Sequence, residues 1–429
     1  MYRRSEKPAP LARIGIYGNF GAGNLGNEAT LHVVIGRIQQ QLPGAKLLCF
    51  CTNPQDVRAR HNIAAFPSEA IDKKPSLRRS PGRLARLFRI VFLRIPLELI
   101  HWVKCLLMVR HLDLLIVAGT GIVADYTTGP LSWPYDIFKL SVLASLCRVK
   151  LIFLSIGAGP INHPLSRRLL KTSLALAHQR SYRDEASKLY LQGIGFPTER
   201  DLVYPDVVFG LARAHASAVC SDQKPVVGVG IKDFGSGKPE VHREYLETMA
   251  TFVSWLQERG YGVRLLIGDI QYDTPVIDQF IDILRSRDIP TTAPMLIVQP
   301  ALTIEELQRQ VSETVAVISS RFHNLVVALI ENKPIMTLSD HGKLDSLATD
   351  LGLRQYLLSL HALRANVLID MFEKLESDAD RLKPYLDAQL QRSRQQLDRL
   401  YASFLTDSNT GRGPAEMGVG YNQAPSQLP

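Results

Sequence analysis

Residues 13–31 read RIGIYGNFGAGNLGNEATL, and residues 315–329 read VAVISSRFHNLVVAL. Each begins with an apolar run of strand length, passes through small and polar residues, and continues as an apolar helical pattern. In the first stretch, Arg13 to Gly18 predicts a buried strand, Gly18 to Gly26 a glycine-rich loop, and Ala29 onward a helix whose first turn offers backbone N–H groups to a phosphate or carboxylate. In the second, Arg321 and His323 stand where such a ligand would lie. One strand-to-helix turn of this kind near each end of the chain points to two α/β domains.

Between and around these turns, strands and helices alternate. Strands are predicted at 14–17, 46–51, 114–118, 151–156 and 179–182, with an extended piece at 202–204. After a polar, alanine-rich stretch the alternation restarts at 226–231 and runs through 262–267, 294–298, 316–318 and 335–338. This is the pattern of mainly parallel sheets with helices on both faces. The expected organisation is an N-terminal extension over 1–12, a Rossmann-like domain over 13–212, a linker over 213–224 and a second Rossmann-like domain over 225–376. A C-terminal helix over 377–405 and a disordered tail over 406–429 would follow. Two such open parallel-sheet domains would face a cleft that takes the substrates.

Composition narrows the partners. The 429 residues exceed what one core usually serves, and 46% of them are hydrophobic, so burial is not limiting. A net charge of +9 favours an anionic partner. The excess is local: from Lys73 to Arg110, ten lysines and arginines accompany a single acid, Glu98, among Leu, Ile, Phe and Trp102. This basic segment reads either as a solvated amphipathic hairpin or as a monotopic surface touching anionic lipid. No stretch is long and charge-free enough to span a bilayer. Neither a basic-aromatic RNA motif nor zinc-spaced Cys/His pairs support a nucleic-acid partner. The five cysteines, Cys49, Cys51, Cys105, Cys147 and Cys220, lack C-x-x-C spacing and suit reduced core thiols. The charged opening MYRRSEKPAPLAR carries no apolar leader core, so the catalytic parts are expected in the cytoplasm or at the inner face of the membrane.

The first loop contains Gly21, Gly23 and Gly26 in G-x-G-x-x-G spacing. A nicotinamide enzyme would place an acid at the end of the second strand, and LLCFCTN (47–53) ends without one. The loop is also polar, with Asn24, Asn27 and Glu28 among its glycines. Four glycines from Gly18 to Gly26 imply either close backbone approach to a ligand or an elaborate turn.

The residues now carry a resemblance. GNFGAGNLGNEATL (18–31), followed far downstream by SSRFHNLVVALIENKPIMTL (319–338), resembles the polysaccharide pyruvyl transferase family. Intervening blocks agree in order: LLIVAGTGIVAD (114–125), LIFLSIGAGP (151–160), RSYRDEAS (180–187), YPDVVFGL (204–211) and VVGVGIK (226–232), so that the likeness covers about residues 13 to 355. The resemblance implies a two-domain fold like that of GT-B glycosyltransferases. It also implies transfer of the enolpyruvyl part of phosphoenolpyruvate onto a sugar of a polysaccharide or its lipid-linked precursor, as a ketal. Two blocks depart from the family pattern: Asn27 replaces the acid of its Gly-Asp-Glu, and Ala118-Gly119-Thr120-Gly121 replaces its triple glycine.

The chemistry fits the residue types. Phosphoenolpyruvate is small and highly anionic, so its site needs fixed positive charge and convergent N–H donors. Ketal formation needs a proton at C3, and a histidine near neutrality is the natural donor. His323 is therefore expected to be catalytic and Arg321 to hold charge; the resemblance adds Arg183 as a ligand contact. Asp125 either orients or deprotonates an acceptor hydroxyl or caps a helix, and Lys232 is a candidate phosphate or acceptor contact. Asp269, Gln271 and Asp273 form a polar turn suited to sugar contact or to turn chemistry alone. Residues 235–238, GSGK, lack full P-loop spacing. No metal or cofactor is required by these residues. The alternatives are a glycosyltransferase using a nucleotide sugar and a catalytically silent scaffold of polysaccharide assembly; the acceptor sugar and oligomeric state stay open.

Overall fold

The computed structural model describes residues 12–70, 94–125, 129–214, 224–235, 237–340 and 342–405. Most of the basic segment before Arg94, most of the expected linker, and the expected tail lie outside these residues. The chain divides into two compact units. One takes the described residues up to Ala22, Val34–Arg183 and Ser187–Val203; the other takes Gly23–Val33, Asp184–Ala186 and the described residues from Tyr204 onward.

The first unit holds a seven-stranded sheet: β1 (Arg13–Tyr17), β2 (Lys46–Cys51), β3 (Ala64–Pro67), β4 (Leu114–Ala118), β5 (Lys150–Ile156), β6 (Gln179–Tyr182) and β7 (Leu202–Val203). All neighbours pair in parallel, in the order β3-β2-β1-β4-β5-β6-β7. β4 is buried along its whole length, because a parallel strand covered on both faces reads as a continuous apolar run. The covering helices are α1 (Leu25–Gln41), α2 (Pro54–His61), α3 (Ile95–Val109), α4 (Trp133–Leu146), α5 (Pro164–Ala175) and α6 (Glu185–Gly193). One contiguous core joins Tyr17, Ile137, Phe153, Leu170 and Tyr182. α1 and α6 each open with residues that group with the second unit.

The second unit repeats the plan with six parallel strands, β8 (Val226–Gly230), β9 (Gly262–Leu265), β10 (Leu296–Val298), β11 (Ala316–Ser319), β12 (Ile335–Ser339) and β13 (Leu357–Ser359), in the order β10-β9-β8-β11-β12-β13. Its helices are α7 (Pro239–Glu258), α8 (Ile270–Ser286), α9 (Ile304–Ser312), α10 (Phe322–Ile330), α11 (Gly342–Asp350), α12 (Ala365–Ser377) and α13 (Ala379–Leu405). α13 buries Leu382, Leu386, Leu390, Leu397 and Leu400 at helical spacing, each worth about 2 kcal/mol of apolar burial. Arg394 on its flank donates to the carbonyls of Phe209 and Leu211, at 3.3 and 2.7 Å.

Both sheets therefore share the strand order 3-2-1-4-5-6, extended by a seventh strand in the first. In each, successive connections leave the first strand in opposite directions. Such a switch point, at the carboxyl ends of β1 and β4 or of β8 and β11, is where open α/β sheets bind ligands.

One element differs from expectation in a way that matters. α1 begins at Leu25, not Ala29. Asn24 supplies the cap: its Oδ1 accepts from the N–H groups of Gly26 and Asn27 at 3.1 and 3.2 Å. The last two residues of the expected glycine loop, Leu25 and Gly26, are therefore helix.

Candidate active site

The second unit gathers the sequence candidates at the carboxyl ends of its central strands. Lys232 follows β8, Asp269 follows β9, Arg321 follows β11 and Asp340 follows β12. Lys232 Nζ lies 2.7 Å from Asp340 Oδ1. Burial, and after it the nearby Arg321 charge, hold the Lys232 ammonium below its ordinary range, against the pull of Asp340. Arg321 pairs with Asp273 of α8. The other oxygen of Asp273 accepts from the N–H groups of Gly268 and Asp269, at 2.8 and 2.9 Å. Asp273 is fully buried, and burial pushes its carboxyl upward although Arg321 and the two amides oppose the shift.

Arg321 is also the N-cap residue of α10, and no side chain caps that helix start. Its own N–H donates to Ser319 Oγ at 2.9 Å. Its Nε–H is a buried donor without an acceptor among the described residues, a group that costs about 1–3 kcal/mol unless a ligand or water accepts from it. His323 lies in the first turn of α10, half-buried. Asn324, next to it, is wholly buried; its Nδ2 points to Leu266 O, and its Oδ1 has no donor among the described residues.

The glycine-rich stretch joins this cluster from its Gly23 side. Asn24 Nδ2 donates to Asp269 Oδ2 at 2.9 Å, and the two residues form an isolated antiparallel bridge. The N–H of Leu25 donates to Gly268 O at 3.2 Å, and that of Ile270 to Gly23 O at 3.4 Å. Gly26 faces the imidazole of His323 so closely that any Cβ there would overlap the ring. The expectation that this helix start cradles an anion is thereby corrected. The N–H groups of Leu25, Gly26, Asn27 and Glu28 are spent on Gly268 O, Asn24 Oδ1 twice and Asn24 O. The stretch instead positions Asp269 and makes room for His323. Asn27 and Glu28 follow in the same first turn, with the Glu28 side chain buried.

In the first unit, Arg183 follows β6 and its N–H donates to Ile156 O at 2.9 Å. Its guanidinium carbon would lie 2.9 Å from a Cβ on Gly157, so a glycine after β5 leaves room for that group against the backbone. Gly121, after β4, is 3.3 Å from the same point. Gly21 packs against the Asn53 carbonyl. Asp125 turns out to anchor a loop: its two oxygens accept from the amides of Asn162 and Asn162's neighbour His163, at 2.7 and 2.8 Å. Burial raises its carboxyl, but these amides, Ser166 and His163 outweigh burial and leave it below the usual range. Its two oxygens thus hold the turn that leads into α5, in keeping with the capping alternative for Asp125.

Two acids that complete the cluster, Asp273 and Asp340, were not legible as charge partners, since they meet Arg321 and Lys232 across 48 and 108 residues of sequence. Among the described residues no group of three or more His, Cys, Asp or Glu side chains is arranged to hold a metal ion.

The two parallel-sheet α/β units have the architecture of the GT-B glycosyltransferases and epimerases. The chain aligns with a putative UDP-N-acetylglucosamine 2-epimerase from Listeria monocytogenes at a TM-score of 0.58, 10% identity, over 92% of this chain and 97% of that one. The UDP-GlcNAc 2-epimerase from Neisseria meningitidis bound to UDP-GlcNAc gives 0.57 and 13%, over 92% and 100%. A lipopolysaccharide outer core galactosyltransferase in its apo form gives 0.53 and 11%, over 91% and 99%. At these identities the likeness concerns the fold alone. Comparison with curated protein sequences gave no match. The polysaccharide pyruvyl transferase family model matches residues 24–342, and the chain belongs to that family.

Proposed function

We propose that the enzyme transfers the enolpyruvyl group of phosphoenolpyruvate to two hydroxyls of one sugar, in a polysaccharide or its lipid-linked precursor. The observation that carries this reading is the placement of Lys232 just after β8, and of Arg321 and His323 just after β11, at the switch point of the second sheet. Arg321 and Lys232 receive the phosphate and carboxylate, with the Arg321 Nε–H supplying a donor that has no acceptor among the described residues. His323, protonated, gives its proton to C3, turning the methylene into a methyl. The first sugar hydroxyl bonds to C2 and its proton returns the imidazole to the charged form. The C2–O bond to phosphate then breaks, and the second hydroxyl bonds to C2 as its proton leaves on hydrogen phosphate. Two hydroxyl protons are thus accounted for, one on C3 and one on phosphate.

The Gly23–Glu28 stretch is the positioning element: Gly26 sets where the His323 ring lies and Asn24 holds Asp269. Arg183 is proposed as a ligand contact at the strand ends of the first unit. The test is incubation with phosphoenolpyruvate and a glycan fraction, reading inorganic phosphate and the mass of a pyruvate ketal on the glycan. Both should appear together with wild type and fall by about 10²–10⁴-fold with His323→Ala. Phosphate release without ketal, or ketal formation unaffected by that substitution, would reject the assignment.

A further inference from the structure

α3 (Ile95–Val109) is built inside out for a soluble helix. Its inner face is polar at Glu98, His101 and Trp102. Glu98 Oε1 lies 3.0 Å from Lys139 Nζ of α4, which also donates to His101 Nδ1 at 3.1 Å, to Asp136 Oδ1 at 3.3 Å and to Ser68 O at 3.2 Å. With Nδ1 accepting, the His101 proton sits on Nε2 and is donated to Pro67 O at 3.0 Å. Trp102 Nε1 donates to the Tyr135 hydroxyl at 2.7 Å. This network and the buried Cys105 and Val109 fix which side faces the sheet.

The opposite face carries Leu99, Ile100, Val103, Leu106 and Leu107, which are 61, 50, 56, 37 and 47% exposed. A helix apolar on its outer side as well as over part of its inner side belongs against an apolar medium or partner. The charged residues on the outer side are all cationic: Arg94, Lys104 and Arg110 are exposed, while the helix's one acid, Glu98, is turned toward Lys139. At 15 residues the helix is about 22 Å long, short of the roughly 30 Å hydrocarbon core, so it can lie in a membrane interface but cannot span one. No helix among the described residues is long and apolar enough to cross a membrane.

We infer that the outer face of α3 docks the enzyme on an anionic phospholipid surface, its leucine and isoleucine side chains in the headgroup–acyl boundary and Arg94, Lys104 and Arg110 at lipid phosphates. This inference does not rest on the proposed reaction. The test is sedimentation of the full chain with phosphatidylcholine vesicles containing about a third phosphatidylglycerol, and with phosphatidylcholine alone. Wild type should bind the anionic vesicles and release them as salt rises. The triple variant Ile100→Glu, Val103→Glu, Leu107→Glu should lose about tenfold or more of that binding while melting like wild type, since all three side chains are exposed; Lys104→Glu should lose less. No vesicle binding by wild type, or equal binding by the triple variant, would overturn the inference. So would a wild-type dimer that the triple variant converts to monomer without any vesicle binding, because the face would then belong to a second copy.

Discussion

Gly26 and His323, separated by most of the chain, are packed against each other with no room for a single additional carbon. Gly26 is in the first turn of α1 and His323 in the first turn of α10. The glycine therefore has a local reason to be disfavoured, since it weakens a helix, and a tertiary reason to be kept, since it leaves space for the imidazole.

That opposition gives the first prediction. Gly26→Ala should gain about 1 kcal/mol of helix propensity, yet its methyl must displace the His323 ring. We expect catalysis to fall by about 10²-fold, as for a catalytic group moved by an ångström, with the melting temperature lowered or unchanged. A variant that is more stable and fully active would show that the ring position is irrelevant.

Asn24→Asp separates capping from bridging. Aspartate keeps the cap on Gly26 and Asn27 but replaces the Nδ2 donor with an anion 2.9 Å from Asp269. Two ionised carboxylates at this separation repel, so the penalty is present at neutral pH and is gone once pH falls below the ordinary carboxylate range. Denaturant unfolding should show a loss of about 1–3 kcal/mol at pH near 7. The difference from wild type should close in acid; a loss independent of pH would point to the cap instead.

How much of this was legible follows physical lines. Lys46–Cys51, Leu114–Ala118 and Gln179–Tyr182 begin and end where the sequence predicts, because a turn residue or a charged residue closes each run. The outer strands β3 and β13, of four and three residues, are too short to show a period, and α2 carries a single buried apolar residue, Val57. α1 begins four residues before the sequence pattern predicts, because asparagine among glycines reads as a loop while its capping role depends on geometry. Arg321 and His323 were legible from type and spacing, whereas Asp273 reads alone as turn chemistry, and its pairing with Arg321 exists only after α8 and α10 are placed.

The network beneath α3 predicts acid sensitivity. Burial, and then the Lys139 charge, hold His101 below its ordinary value. The unfolded imidazole binds a proton near pH 6.5 while the folded one does not, so stability is complete above that pH and is lost as pH falls below it. The unfolding free energy should decline between about pH 7 and pH 5, with a slope of at most about 1.4 kcal/mol per pH unit from this group, measured by denaturant unfolding. His101→Gln, which keeps an acceptor for Lys139 and a donor for Pro67, should flatten that slope; an unchanged slope would place the acid sensitivity elsewhere.

The central claim is that the Lys232, Arg321 and His323 cluster is a phosphoenolpyruvate site. A ligand that binds only the folded state stabilises it by about 2.7 kcal/mol at a hundredfold excess over its dissociation constant. A thermal-shift titration of wild type and Arg321→Ala with phosphoenolpyruvate, and in parallel with UDP-N-acetylglucosamine, is therefore the direct test. We predict a rise with phosphoenolpyruvate for wild type and its loss in Arg321→Ala. A rise with the nucleotide sugar alone, or a phosphoenolpyruvate shift that survives Arg321→Ala, would contradict the account.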